Sequence, residues 1–341
     1  MSGSNDQMDM LLDQLGRLCA DHVDRDVLAD AERGKRPDTL LDAIEQFGLL
    51  DALTIPAPEG GVPFDAAASV FALLGAYAIP LPVGETMIAR CVLARAGLAI
   101  PNGLVGLVDL DRTPTSLSHG EMTSYVVAAL GERLCLFATQ GVTKQRVGSI
   151  SREARLAIDL SQTQPVAETD WPSDLPNALT LGAMLRASQI AGGLGRALAM
   201  SVDFARTREQ FGRPIGRFQA VQQLLAKLAA EAAAARSAAD GAWFALENGR
   251  LGWAAAVAKI TAGDAARTGA AIAHQVHGAI GFTDEYMLHY QTRRLWEWRL
   301  DFGSDVFWAE RLGRAARGHS AGIWNFIVAG EPATQPTEAI A

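Results

Sequence analysis

Arg208-Glu-Gln-Phe-Gly-Arg-Pro-Ile-Gly-Arg-Phe-Gln219 and Gln275-Val-His-Gly-Ala-Ile-Gly-Phe-Thr-Asp-Glu-Tyr286 are the two stretches that decide the fold. Both fall between runs with helical periodicity. Met184 to Thr207 and Ala220 to Glu247 read as long helices, the second with Val221, Leu224, Leu225, Leu228, Ala232 and Ala235 along one face. Leu251 to His274 reads as a third helix and Thr292 to Arg317 as a fourth, with Gly303 a candidate break. Runs such as Ala229 to Ala235 let helix axes approach closely, which suits a tight bundle and packing between subunits.

Upstream of that bundle the period changes twice. Leu104–Leu110, Ser124–Leu130, Arg133–Ala138 and Ala154–Leu160 are short β-rich runs broken by Asp, Gly, Pro and Ser. They predict a small antiparallel domain, and Trp171-Pro-Ser-Asp-Leu-Pro is its exit linker. Residues 7 to about 100 return to helical spacing. Leu11, Leu12, Leu15, Leu18 and Cys19 form one stripe, Leu40, Leu41, Ile44 and Phe47 a second that stops at Gly48. Ala66 to Tyr77 and Thr86 to Ala96 supply two more helices. The boundaries read as a helical domain over 1–102, a β domain over 103–175, a helical bundle over 176–330 and a tail over 331–341. The fold class is mainly α.

Bulk properties narrow the function. A formal charge of −8 and a pI near 5.3 argue against non-specific binding to nucleic acid or to an anionic membrane. No apolar run is long enough for a membrane span, and Met1 to Asp13 is too polar and acidic for a signal peptide. Cys19, Cys91 and Cys135 have no metal-site spacing and read as buried thiols of a cytoplasmic protein. His274 and His277 offer two ligands without a third, so no metal is expected. Gly192-Gly-Leu-Gly lies inside a helical run and follows no strand, so helix packing explains it better than dinucleotide binding.

The helix–strand–helix order, with the two quoted stretches in this sequence and at this separation, resembles the acyl-CoA dehydrogenases. Pro80-Leu-Pro-Val-Gly-Glu-Thr86 is similar to the short actinobacterial-type members. The likeness covers most of the chain and is strongest from about 186 to 320. It implies FAD as cofactor, an acyl-CoA substrate, and α,β-desaturation of the thioester. It also implies that the quoted stretches hold the adenosine-pyrophosphate end of an FAD, largely that of a neighbouring subunit. On this resemblance Arg208 neutralises the pyrophosphate, a task suited to a guanidinium. Gln210 replaces a hydroxyl residue, Phe211 lies against the cofactor, and Gln219 sits near the adenosine. Gln275, Gly278 and Ala279 match Gln-x-x-Gly-Gly, where small residues let backbone approach phosphate; Ala279 departs from the usual second glycine.

Other departures bear on catalysis. Abstraction of the α-proton needs a positioned carboxylate. The resemblance places that glutamate at Phe302, in Phe302-Gly-Ser, or in a minority of the family at Gly182, followed by Ala183. None of these can take a proton. Asp301 is the neighbouring carboxylate, and a regular local structure directs it elsewhere. The loop and strand that surround the flavin ring are replaced by Leu107-Val-Asp-Leu-Asp-Arg-Thr-Pro-Thr-Ser116 and by Tyr125-Val-Val-Ala-Ala-Leu130, and the β domain is short for the family's eight-stranded barrel. Trp296, Glu297, Trp298 and Arg299 either line a surface or form an ordinary amphipathic helix; Arg293, Arg294 and Arg299 either meet a CoA phosphate or pair with Glu297 and Asp301. Three functions remain open. The chain is a subunit of a heteromeric dehydrogenase, such as a heterotetramer of the steroid-catabolic type, whose second acyl-CoA dehydrogenase-like subunit holds the base. Otherwise it is a homo-oligomeric enzyme with another base, with Asp301 as fallback, or a scaffold that kept only the fold.

Overall fold

A computed structural model describes residues 2–320 and 322–329, apart from 57–58 and 112–115. The expected tail at 331–341 and residues 112–115 of the altered ring-loop segment lie outside the described residues. The chain runs through helices α1 (Ser2–His22), α2 (Arg25–Glu32), α3 (Asp38–Gln46), α4 (Phe64–Ala76) and α5 (Val83–Arg95). Strands follow: β1 (Val105–Asp109), β2 (Ser116–Leu117), β3 (Tyr125–Leu130), β4 (Arg133–Ala138), β5 (Thr143–Arg146), β6 (Leu156–Asp159) and β7 (Ala167–Asp170). Then come α6 (Ala178–Thr207), the β8 (Glu209–Gln210) and β9 (Arg213–Pro214) hairpin, and α7 (Gln219–Glu247). Helices α8 (Ala254–His277), α9 (Leu288–Leu300), α10 (Asp305–Gly318) and α11 (Ile323–Ala329) complete the described chain.

The strand region forms two sheets, one ordered β1-β3-β4-β7 and one β2-β6-β5. It is not purely antiparallel as expected, because β1 pairs with β3 in parallel. The intervening chain crosses to the other sheet as β2 before returning, and that crossover reverses the direction a hairpin would impose. In the larger sheet alternate residues face opposite ways. Val105, Leu107, Val127, Leu134 and Leu136 join the core shared with the helices, whereas Val126, Ala128, Cys135 and Phe137 pack with Leu117, Leu156 and Ile158 of the smaller sheet. Burial on both faces explains why these strands read as continuous apolar runs.

Helix α6 is the axis of the bundle. Asn177 caps it by accepting from the Thr180 amide at 3.0 Å, and most of its first five turns are buried. Trp243 of α7 is fully buried, donates to Ser188 Oγ on α6 at 3.0 Å, and packs on Phe71 of α4 with ring centroids 5.4 Å apart. The predicted break at Gly303 is real: α9 stops at Leu300, and Phe302 and Gly303 both take left-handed φ values, +50° and +87°. No described helix is long and apolar enough to cross a membrane.

The Gly192–Gly195 run lies within α6, as its packing interpretation requires. A Cβ on Gly192 would stand 1.7 Å from the Ala72 carbonyl oxygen of α4, while one on Gly195 meets nothing within 4 Å. Gly192→Ala is therefore expected to cost about 2–3 kcal/mol through overpacking. Gly195→Ala, at an exposed helical position, should gain about 0.5–1 kcal/mol from propensity. Urea unfolding of the two variants checks the contrast.

Candidate functional site

Two places concentrate chemistry. The first is an inner cavity of about 400 Å³ between the sheets, the start of α6 and the α9–α10 corner. Its lining includes Leu107, Ser118, Arg155, Arg186, Asp301 and Phe302. Both positions where the resemblance seeks a base meet here. The Phe302 ring stands directly over Gly182, so close that a Cβ on Gly182 would be 2.2 Å from it. The ring fills the space beside Gly182, and neither Phe302 nor Gly182 can accept a proton. Ala183, fully buried, packs nearby with Phe302 and Trp308.

Asp301 departs from the regular-helix expectation. Because α9 ends one residue earlier, Asp301 adopts ψ 144° and its carboxylate turns into the cavity wall. One oxygen accepts from Arg155 Nη2 at 2.7 Å and the other from Arg186 Nε at 2.9 Å. Arg186 also reaches Glu85 Oε1 at 2.6 Å, and Arg155 Nε lies 2.9 Å from Glu297 Oε1. Ser118 Oγ accepts from both arginines. These five charged side chains form one buried cluster of ion pairs. Burial opposes the Arg186 charge, but Glu85, Asp301 and Glu153 outweigh it and hold the guanidinium above its ordinary range. Beside it, burial disfavours the Glu153 carboxylate, and His119, Arg294 and Arg186 more than compensate, holding it well below the usual range.

Neither open interpretation of the α9 charges fits. Arg293 pairs with Glu32, the fully buried Arg294 with Glu153 at 3.2 Å, and Arg299 with Asp305 at 3.0 Å. They face neither solvent nor Glu297 and Asp301. Glu297 instead accepts from the amides of Ile150 and Ser151, and Trp298 is buried. Glu85, Arg155 and Arg186 carry no motif that marks them as site residues. A signal existed for Arg186, a lone charge within the apolar stretch Leu179 to Ile190.

The second place is an exposed end of the bundle. Phe204 at the end of α6 stacks on His277 at the end of α8, with centroids 4.6 Å apart, which brings the two motif stretches together. Arg208, Gln210, Phe211, Gln219, Gln275, Gly278 and Ala279 are all exposed there, and none lines the inner cavity. Phe211 and Gly212 form the β8–β9 turn with φ of +52° and +76°, as a two-residue hairpin demands. Phe211 is 91 % exposed despite this strained backbone. Gly278 ends α8 with φ +63°, whereas Ala279 lies outside the left-handed region, so its Cβ is tolerated. His274 stacks on Phe282, itself 69 % exposed, and donates to or accepts from Thr292 Oγ1; the described residues contain no metal-binding cluster.

Comparison with known proteins agrees with this geometry. Residues 175–299 match the model "Acyl-CoA dehydrogenase, C-terminal domain". The acyl-CoA dehydrogenase IpdE2 of Mycobacterium tuberculosis is 30% identical over 303 residues, spanning 85% of this chain and 91% of that protein. The chain belongs to the acyl-CoA dehydrogenase family. Its fold matches the Tcur3481–Tcur3483 steroid ACAD with a TM-score of 0.80 at 22% identity, covering 94% of this chain and 100% of that one. It also matches the ChsE4–ChsE5 complex from Mycobacterium tuberculosis at 0.74 and 19%, covering 94% and 98%. Members of this family are FAD-dependent oxidoreductases acting on acyl-CoA. The exposed end has the donor set that an FAD pyrophosphate and adenosine require: a guanidinium, a left-handed glycine beside a small residue, and an uncovered aromatic ring. Among the described residues of the inner cavity, Arg155 and Arg186 pair with Glu85, Glu297 and Asp301 and do not stand free for a flavin ring.

Removing one member of the cluster leaves the others buried and unpaired. Arg186→Met is expected to destabilise the fold by about 3–5 kcal/mol at neutral pH. In the natural chain the depressed Glu153 contributes stability above its unfolded value of 4.5, and that contribution is lost as pH falls. Urea midpoints at neutral and at acid pH measure both effects.

Proposed function

We propose that this chain is one subunit of a hetero-oligomeric, FAD-dependent acyl-CoA dehydrogenase. It contributes FAD-binding surface and assembly contacts, and a second, family-type subunit contributes the ring pocket and the base. The observation that carries this reading is the seating of Phe302 on Gly182, which leaves both base positions apolar and in contact. Asp301 makes a poor substitute, since each of its oxygens already accepts from an arginine.

The reaction removes a proton from the α-carbon and a hydride from the β-carbon of the thioester, leaving a conjugated double bond. Bound FAD supplies the hydride acceptor. On the partner subunit's side the carboxylate takes the α-proton. On this chain, Arg208 neutralises the pyrophosphate, Phe211 and Gln210 cover the cofactor from the hairpin, and Gln219 reaches the adenosine. Gln275, Gly278 and Ala279 let backbone approach phosphate oxygens. The strained Phe211 supports this: its ring is 91 % exposed and meets Phe218 edge-on with centroids 6.1 Å apart, which leaves most of the ring open to a cofactor. The names of the relatives support a steroid-derived acyl group and a two-chain assembly.

The chain purified alone, given FAD and a panel of acyl-CoA esters, should leave an artificial electron acceptor unreduced. The complex co-purified with its family-type partner should reduce it. Loss of a general base alone costs about 10²- to 10⁴-fold, and loss of the ring pocket removes the acceptor altogether. Robust turnover by the isolated chain that vanishes in Asp301→Asn would overturn the reading. Within the complex, Arg208→Ala should weaken FAD retention by about tenfold or more; unchanged flavin occupancy would remove Arg208 from the site.

A further inference from the structure

Lys259 has no part in the function proposed above, yet it is fully buried in an alanine-rich helix. Its ammonium donates to three carbonyls: Trp298 at 3.1 Å, Arg299 at 2.8 Å and Gly303 at 2.8 Å. All three ammonium hydrogens are thereby used. Two of those carbonyls end α9 and have no onward helical partner, and a cation is favoured at that terminus. The third belongs to the far side of the corner. Between them lie Asp301 and the left-handed pair Phe302 and Gly303.

The corner is held from its other side too. Trp308 Nε1 donates to the Phe302 carbonyl at 2.9 Å, and Ser304 caps α10 by accepting from the Phe307 amide. Gly303 admits no side chain, since a Cβ there would be 2.5 Å from the Phe307 ring. This corner carries both the Asp301 carboxylate, between Arg155 and Arg186, and the Phe302 ring over Gly182. We propose that Lys259 is a positioning residue that latches the α9–α10 corner in the form that seats Phe302 as a stopper in the inner cavity. The latch concerns this chain's own cavity and stands whether or not the partner-subunit reading holds.

The latch has a measurable signature. Burial lowers the Lys259 pKa from 10.5 to about 7, against the opposing pull of Asp301. Opening the corner to water restores the higher proton affinity. Opening is then linked to proton uptake: it is independent of pH below about 7 and becomes harder as pH rises toward 10.5. The charged groups facing the ammonium are Asp301 and Arg299 at the corner, Arg186 on α6 and Asp305 on α10. Carboxylates and guanidiniums as classes keep their charge across that window, so the dependence belongs to the lysine.

Hydrogen exchange of the full-length chain tests this, with rates corrected for the chemical pH dependence. Amides of 299–308 should open before the buried turns of α6. Their protection should be flat below pH 7 and rise by up to about tenfold per pH unit above it. Lys259→Met should lower that protection by about tenfold or more and abolish its pH dependence. Phe302→Gly, tolerated at a left-handed position, should bind indole more tightly than the natural chain does. If Lys259→Met fails to fold, Lys259→Gln, which keeps two donors, takes its place in the same comparison. A folded Lys259 variant with unchanged protection overturns the latch; indole binding by Phe302→Gly no tighter than by the natural chain overturns the stopper.

Discussion

Asp301 holds two arginines at once, and the whole architecture converges on that pairing. Arg186 comes from the axial helix of the bundle, Arg155 from the loop entering β6, Glu85 from α5 and Glu297 from α9. One cluster therefore joins the N-terminal helices, the sheets and the C-terminal bundle. Burying five charges is costly, and their mutual attraction offsets the cost only while every member is present. This ties the docking of three regions to the geometry of a single corner. It also explains why the inner cavity is chemically quiet: groups that complete each other's hydrogen bonds are poor acids, bases and ligand donors.

The two ends of the molecule thus differ in kind. Inside, Asp301, Glu85 and Glu297 pair with Arg155 and Arg186, and the Phe302 ring lies on Gly182. Outside, the β8–β9 hairpin and the end of α8 expose Phe211, Phe282, Arg208 and Gly278. On the proposed reading, the edge left open here meets a cofactor whose ring pocket and base a second subunit provides.

Much of this was legible in the sequence because it depends on local pattern. The long helices, the break at Gly303 and four of the strands follow from periodicity and breakers. Helix α2 was missed, since Arg25–Glu32 is short and carries four charges in eight residues. Strands β2, β5 and β7 were missed for related reasons: β5 is exposed at every position, and β2 spans only two residues. The parallel β1–β3 pairing depends on a crossover that no local pattern encodes. At the site, the apolar residues Phe302 and Gly182 were readable, but their contact was not, because they lie 120 residues apart, one in α6 and the other at the α9–α10 corner. The roles of Arg155, Glu85 and Lys259 likewise required knowing which distant segments meet.

The most direct test of the account is flavin stoichiometry in the purified complex of this chain with its partner. On the proposed reading this chain offers only the outer half of a cofactor site and completes none of its own. The account predicts one FAD for each pair of unlike chains, by absorbance against protein concentration, and no flavin retained by this chain alone. One FAD on every chain, or a yellow protein when this chain is purified by itself, would contradict it.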